Sequence, residues 1–406
     1  MGGTSCDVCV ITGGAVRETA AREVAGRPLA LPALDIQTVG AGGGSKAWRD
    51  GGGALRVGPA SAGATPGPAC YGRGGEEATV TDANLLLGRL LDDAPLAGGI
   101  TLDREAAERA VAKLAGTVGL STRACAEGIV QVAEAEMARA LRVMTVGRGV
   151  DPRGMALMPF GGAGPLHAAA LASELGLSRI VCPRASGVLC ALGLAAAAPR
   201  RDAARTVLLS GAALSGKSVR EERAELLQRV RAELGGSVLR GGGRGSAGER
   251  PDAETTAARV RVVYEMRYSG QSFELGVEDE NPEGPVEVET LREAFAARHE
   301  ERYGYRDEDA EVELVTVRAS AWGQAPALEL ASAGGAEPER ETRTVVFADR
   351  EIEAECFLGE LPAGTAVTGP AICALGEATL WVPPGWSGEV DEQGSVLLSA
   401  EETRPR

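Results

Sequence analysis

Two glycine-rich stretches carry residue types that hold phosphates. Gly2-Gly3-Thr4-Ser5-Cys6-Asp7-Val8 sets two residues without side chains beside two hydroxyls and a carboxylate, immediately before an apolar run. Glycines let backbone amides approach anionic oxygens, hydroxyls donate to them, and a carboxylate such as Asp7 holds Mg²⁺ directly or through water. A plain β-turn entering a strand has the same composition and stands as the alternative. The second stretch, Phe160-Gly161-Gly162-Ala163-Gly164-Pro165-Leu166-His167, lies between a strand-like segment at 155–160 and a helix that opens with Pro165. Free amides and the positive end of the helix dipole there favour a nucleotide; tight packing of helix on strand is the other reading. His167 falls in the first helical turn and is one of two histidines. It either touches substrate or nucleotide, or is packed and hydrogen-bonded in the core.

Two further motifs carry less. Gly211-Ala212-Ala213-Leu214-Ser215-Gly216-Lys217-Ser218 fits the GxxxxGK[ST] pattern and precedes a helix. A working P-loop follows a strand inside a parallel sheet and has a downstream acidic residue for Mg²⁺, whereas alternating strands follow here. A solvated turn with a capping serine is the expected outcome. Cys6 and Cys9 form a CxxC with no second pair at zinc-site spacing, and the eight cysteines are too sparse for a disulfide scaffold. Reduced thiols are expected.

The elements that must position these residues follow from periodicity. Turn-rich strands and loops fill the first hundred residues. Helices are predicted over 103–118 and 122–145, the second because Ile129, Val130, Ala133, Met137, Ala140, Leu141 and Met144 recur at helical spacing. After the glycine stretch and its helix, which ends near Gly176, residues 179–182 read as a strand and 187–197 as a helix, an α/β alternation in a mixed or parallel sheet. A charged helix is predicted over 217–234, followed by a mobile loop over 235–251 that is poor in apolar side chains. Strands at 258–268 and 312–317 enclose a helix at 291–303, and a β-rich segment closes the chain. A boundary near 205 divides a first domain, 1–205, from a second, 206–406.

Bulk properties narrow the function. Hydrophobic residues make up 44% but aromatics 3%, so Ala, Val and Leu must do most of the core packing. A net charge of -15 disfavours a nucleic-acid partner. No basic stretch followed by an apolar one opens the chain and no run of 18 apolar residues occurs, which points to a cytoplasmic protein without a membrane partner.

Taken together, these segments resemble the hydantoinase A, 5-oxoprolinase and acetone carboxylase β-subunit group. The likeness runs through GGTSxDV at the start, GAGGGS at 40–45, SAGATPGPACYGRGG at 61–75 and TVTDANLLLGRL at 79–90. It continues in RGVDPRGMALMPFGGAGPLHA at 148–168, GVLCALGL at 187–194, RYSGQSFEL at 267–275 and HEERYGY at 299–305. The resemblance implies an α/β, actin-like or sugar-kinase-like ATPase lobe followed by a smaller β-rich α+β domain. It implies ATP with Mg²⁺, activation of a lactam or imide carbonyl for ring opening, and hetero-oligomeric assembly with a hydantoinase B-type subunit or domain. Carried over by position, Gly2, Gly3, Thr4, Ser5 and Asp7 form a second phosphate loop, with Asp7 the metal-linked carboxylate, and Gly161, Gly162 and Gly164 form the adenosine-side loop. Asp82 and Asn84 fall on the substrate or metal side, with helix capping by Thr81 or Asp82 as the equal alternative. The pattern departs at Met1, where the family has an aspartate, and at Lys46, where an apolar residue is expected. An upstream lobe with a first phosphate loop is expected to be missing, which leaves a non-catalytic assembly fragment and an acetone carboxylase-type subunit as alternative functions.

Overall fold

The computed structural model describes residues 1–401 apart from 20–21, 25, 30–32, 94, 242–258 and 329–336. Packing groups the chain into two compact units, Met1–Leu192 with Leu330–Arg406, and Gly193–Glu329. This division by packing differs from the boundary near 205 drawn along the chain.

In the first unit, β1 (Cys6–Val8) pairs antiparallel with β2 (Gln37–Val39), and β3 (Ser45–Arg49) with β4 (Leu55–Ser61). Four helices follow: α1 (Val80–Leu86), α2 (Arg104–Val118), α3 (Thr122–Met144) and α4 (Gly164–Leu175). Capping groups and a proline set the starts of the last three. The side chains of Asp103 and Ser121 accept the amides of Ala106 and Ala124 as N-caps of α2 and α3, while Pro165 opens α4. Gly119 and Gly176 end α2 and α4 in the left-handed conformation that glycine adopts without strain. The predicted stripe of α3 is core: Ile129, Val130, Ala133, Met137 and Met144 are buried against Val80, Ala83, Ala110 and Val111. Burying one such large apolar side chain contributes about 1.5–3 kcal/mol. Most of this core is alanine and valine, as the composition requires.

After α4, β5 (Arg179–Cys182) leads to the short helix α5 (Leu189–Ala196). The second unit is an antiparallel sheet with two helices. Its strands are β6 (Arg200–Leu209), β7 (Arg259–Tyr268), β8 (Leu275–Glu278) and β9 (Val312–Trp322), in the order β6-β9-β7-β8. Helices α6 (Gly216–Gly241) and α7 (Val288–Tyr303) belong to it. The few aromatics concentrate here, with Tyr264, Tyr268 and Phe295 in its core. Helix α6 corrects one expectation, because it continues past 234 through Gly241, and the remainder of the loop assigned to 235–251 lies outside the described residues.

The chain then returns to the first unit. Strands β10 (Glu339–Phe347), β11 (Arg350–Leu358), β13 (Ala371–Ala374) and β14 (Thr379–Val382) form one sheet, in which only β11 and β13 run parallel. Strands β12 (Ala366–Thr368), β15 (Trp386–Val390) and β16 (Val396–Ala400) form the other with β5, in the order β5-β16-β15-β12. Leu157 adds a parallel bridge to Ile180 on the free side of β5, so this sheet is mixed. Helix α4 packs on β14, and Ala168, Ala169 and Ala172 share a core with Phe357, Leu380 and Trp386.

Candidate functional site

The glycine stretches meet around Met1. On one side, the amides of Gly43 and Gly44 donate to the carbonyls of Gly2 and Gly3 at 2.9 and 2.6 Å. A Cβ on Gly42 would lie 2.5 Å from the backbone of Thr4, so this approach requires glycine. On the other side, the Met1 ammonium donates to the Phe160 carbonyl at 2.6 Å and the Ala163 amide to the Met1 carbonyl at 3.3 Å. Gly161 has φ near +80°, and a Cβ there would sit 2.2 Å from the Met1 carbonyl oxygen. The structure thus brings Gly2, Gly3, Thr4 and Ser5 together with Gly161, Gly162 and Gly164, and inserts the 42–45 loop as a third wall.

Neighbouring segments hold these loops. Both the amide and the hydroxyl of Thr81 donate to the Gly43 carbonyl at 2.8 Å. The 61–75 stretch joins through the Ala62 amide to the Gly44 carbonyl, and the hydroxyls of Ser61 and Thr4 lie 3.2 Å apart. The Gly161 amide donates to the Ser186 carbonyl at 2.7 Å, and the Glu377 carbonyl approaches to 3.3 Å from where a Cβ on Gly162 would sit. What remains open is the donor set. Among the described residues the amides of Gly3, Thr4, Ser5 and Gly162 have no protein acceptor, and Gly3, Thr4 and Gly162 are exposed. Exposed backbone donors beside hydroxyls make an anion-binding concavity.

The remaining candidates fall elsewhere in the architecture. Asp7 is exposed on β1 and accepts the Thr38 hydroxyl through Oδ1 at 2.6 Å, leaving Oδ2 open. Asp82 is fully buried and accepts four donors: the amides of Cys70, Thr79 and Ala69 at 2.7, 2.9 and 3.3 Å and the Thr79 hydroxyl at 2.7 Å. It forms a capping box with Thr79 at the start of α1 and ties down the 69–72 turn. The carboxylate that looked available in the sequence is consumed by the backbone. Beside it, burial and the Asp82 carboxylate push the Cys70 thiol far above its ordinary range. Asn84 is buried too, its amide donating to the Val80 carbonyl at 3.0 Å, while its Oδ1 has no partner among the described residues.

His167 has no exposed surface. Its Nδ1 lies 3.0 Å from Glu134 Oε1 on α3, Arg89 is 3.9 Å from the same oxygen, and its buried Nε2 has no partner among the described residues. The packed reading of His167 is the one this geometry fits. Thr81, Ser61, Ser186 and Glu377 are the positioning groups; residue-type reasoning points to Thr81 only as a helix cap and does not single out the other three. Thr81 and Ser61 lie inside stretches that the family resemblance covers, whereas nothing local to 375–377 signals that this turn covers the 161–164 loop.

The P-loop-like stretch is a turn. Strand β6 before it is the edge of an antiparallel sheet, Ser215 and Ser218 cap α6 reciprocally, and the Lys217 side chain is 84% exposed beside Glu221. All eight cysteines are free thiols, and no group of three or more metal-ligating side chains occurs among the described residues. No helix among them is long and apolar enough to cross a membrane.

Comparison with known proteins places this geometry. The hydantoinase/oxoprolinase family model matches residues 1–203, and that for the hydantoinase/oxoprolinase C-terminal domain matches 217–400. Caprolactamase subunit alpha of Pseudomonas jessenii is 36% identical over 98% of this chain and 57% of its own length. For 5-oxoprolinase 1 of Arabidopsis thaliana the identity is 32%, over 99% of this chain and 32% of the relative. This chain therefore spans little more than half the length of such relatives, or less. Among solved structures, ATP-dependent caprolactamase from Pseudomonas jessenii superposes with a TM-score of 0.73 at 32% identity, covering 98% of this chain and 58% of that one. Nucleotide-free acetone carboxylase gives 0.79 at 25% identity, over 98% and 57%. The family models cover the three converging loops and most of the antiparallel unit, and the chain belongs to the hydantoinase/oxoprolinase family.

Proposed function

We propose that this chain supplies the phosphate- and nucleotide-contacting surface for ATP-dependent opening of a cyclic amide, acting with a hydantoinase B-type polypeptide. The observation that carries the reading is the convergence of three glycine loops on Met1, with the amides of Gly3, Thr4, Ser5 and Gly162 left without acceptors among the described residues. The relatives supply the reaction class, since a caprolactamase and a 5-oxoprolinase both act on lactams by name.

ATP would supply phosphoryl transfer to the amide oxygen, with ADP leaving, which makes the carbonyl carbon more electrophilic toward water so that the ring C–N bond can break. This chain's part is to bind and orient. The amides of Gly3 and Thr4 and the hydroxyls of Thr4 and Ser5 donate to phosphate oxygens, Gly162 and Gly164 let the nucleotide approach the backbone, and Asp7 accepts from a Mg²⁺-bound water. One open carboxylate oxygen suits Mg²⁺, which keeps most of its waters and takes phosphate oxygens as further ligands. Asp82 and Thr81 act behind this surface by holding the loops, and His167 supports the start of α4 from the core.

The test is calorimetric titration of the chain with Mg-ATP, followed by ATP turnover over a panel of cyclic amides with the B-type polypeptide present. Saturable binding that Gly162→Val weakens at least about tenfold, with the fold intact, supports the reading. Binding indifferent to Gly162→Val would sink it. ATP turnover that responds to acetone with bicarbonate and to no lactam would favour the acetone carboxylase-type alternative suggested by the structural likeness.

A further inference from the structure

The turn between β13 and β14, residues 375–378, carries an acidic side chain that the phosphate-binding surface does not account for. The two strands pair antiparallel with Ala374 opposite Thr379, and α4 packs on β14, so the turn is delivered to the glycine loop that opens α4. Two glycines receive it there. A Cβ on Gly187 would lie 2.2 Å from the Glu377 carbonyl oxygen and 2.4 Å from the Glu377 Cβ, and one on Gly162 would lie 3.3 Å from the same carbonyl oxygen. Contact this close at Gly187 requires glycine. The 186–188 turn is itself tied to the loop, because the Gly161 amide donates to the Ser186 carbonyl. Glu377 is therefore fixed through its backbone, yet it is exposed and its side chain makes no ion pair or hydrogen bond among the described residues. Beside Gly187, Val188 offers apolar surface and is 44% exposed.

The two ends of this surface attract different chemistry. The open amides of Gly3 and Thr4 draw anions, whereas a carboxylate repels them. A polyphosphate has no place against Glu377, but a neutral group rich in O–H donors does. We propose that Glu377 reads the sugar of the nucleotide, its two carboxylate oxygens accepting from the vicinal 2′- and 3′-hydroxyls of ribose while the base covers Val188. This inference rests on the nucleotide reading above and orients the ligand, with the triphosphate at residues 3–5 and the nucleoside at 162, 188 and 377. Adenine itself matches the carboxylate less well, since ring-nitrogen acceptors flank its amino group. The diol presents two donors side by side and meets both oxygens in charge-assisted hydrogen bonds.

The experiment is calorimetric titration of the full chain with Mg-ATP, Mg-ITP and Mg-2′,3′-dideoxyATP, repeated on Glu377→Ala. The parent should bind ATP at least about tenfold tighter than the dideoxy nucleotide, the scale of a charge-assisted hydrogen bond. Glu377→Ala should weaken ATP and ITP alike by about tenfold and leave the dideoxy nucleotide within roughly twofold. A merely structural disturbance of the turn would not spare one sugar, so the dideoxy arm is an internal control on folding. Equal loss for all three nucleotides, or no loss, overturns the proposal. So does a loss for ATP with ITP unchanged, which would assign the carboxylate to the adenine amino group. If the parent binds ATP and dideoxyATP equally while Gly162→Val weakens both, the ribose assignment fails and the nucleotide reading stands; if the parent binds neither, both fall.

Discussion

Gly161 and Gly162 are adjacent in the sequence, but the structure predicts opposite outcomes for them. Gly161 has φ near +80°, and an added Cβ would meet the Met1 carbonyl oxygen at 2.2 Å and its carbon at 2.8 Å. The left-handed conformation costs a residue with a Cβ about 1–2 kcal/mol, and forcing an atom into a packed site costs about 1–3 more. The displaced group is backbone, tied by its bonds to Phe160 and Ala163, so no flexible side chain can relieve the contact. Gly161→Ala should therefore destabilise by about 3 kcal/mol, lowering Tm by roughly 6–12 °C for a unit of this size. Gly162 has no such conformation, and its added Cβ would come no nearer than 3.3 Å, to the Glu377 carbonyl. Gly162→Ala should leave Tm within roughly 2 °C of the parent, which makes it the clean probe of nucleotide approach. Differential scanning calorimetry of both variants is the assay. A Gly161→Ala protein that melts with the parent would mean that the Met1 contact is not part of the folded state, and the convergence of the loops would fall with it.

Three further outcomes are expected. Asp82→Ala strips acceptors from buried amides at Cys70 and Thr79 and should cost at least about 3 kcal/mol in chemical denaturation; a neutral result would free Asp82 for the chemical role its sequence context suggests. Lys217→Ala should leave Mg-ATP affinity unchanged by calorimetry, because its side chain lies in solvent on α6; a tenfold loss would revive the P-loop reading. Burial pushes the Cys182 thiol from its ordinary value near 9 up to about 11, so folding favours its protonated form. The stability this contributes is fully present below about pH 9 and is lost as pH rises toward 11; a Cys182→Ala variant should show a flatter decline of denaturation midpoint over that window, and identical slopes would refute the assignment.

Much of the first unit was legible because its signals are local. The stripe from Ile129 to Met144 and the caps at Asp103, Ser121, Gly119 and Gly176 set α2, α3 and the end of α4 to within a residue or two. Strand pairing was not legible, since nothing in Val396–Ala400 names β5 as its partner. The charged helix was read short because residues 235–251 are poor in apolar side chains, yet Gly235 and Gly236 lie within α6. Asp82 shows the limit most plainly: Thr81-Asp82-Ala83-Asn84 fits a reactive carboxylate and helix capping by Thr81 or Asp82 equally well, whereas the structure makes Thr79 the N-cap and binds Asp82 to it and to the Cys70 and Ala69 amides, a dozen residues upstream.

The late strand β16 also has a consequence for how the chain acquires its shape. Arg179 lies across the ladder from Ser399, about 220 residues later, so β5 emerges during synthesis long before its partner exists. The antiparallel unit between them ends its last strand at Trp322 and can fold while the first unit still waits. Until residues 396–400 appear, β5 offers one unpaired edge, with Ile180 and Cys182 not yet enclosed by Val396 and Leu398. Nascent chains halted before residue 396 should thus be the aggregation-prone species, and the rate of the final step should be governed by loop closure over the whole intervening unit.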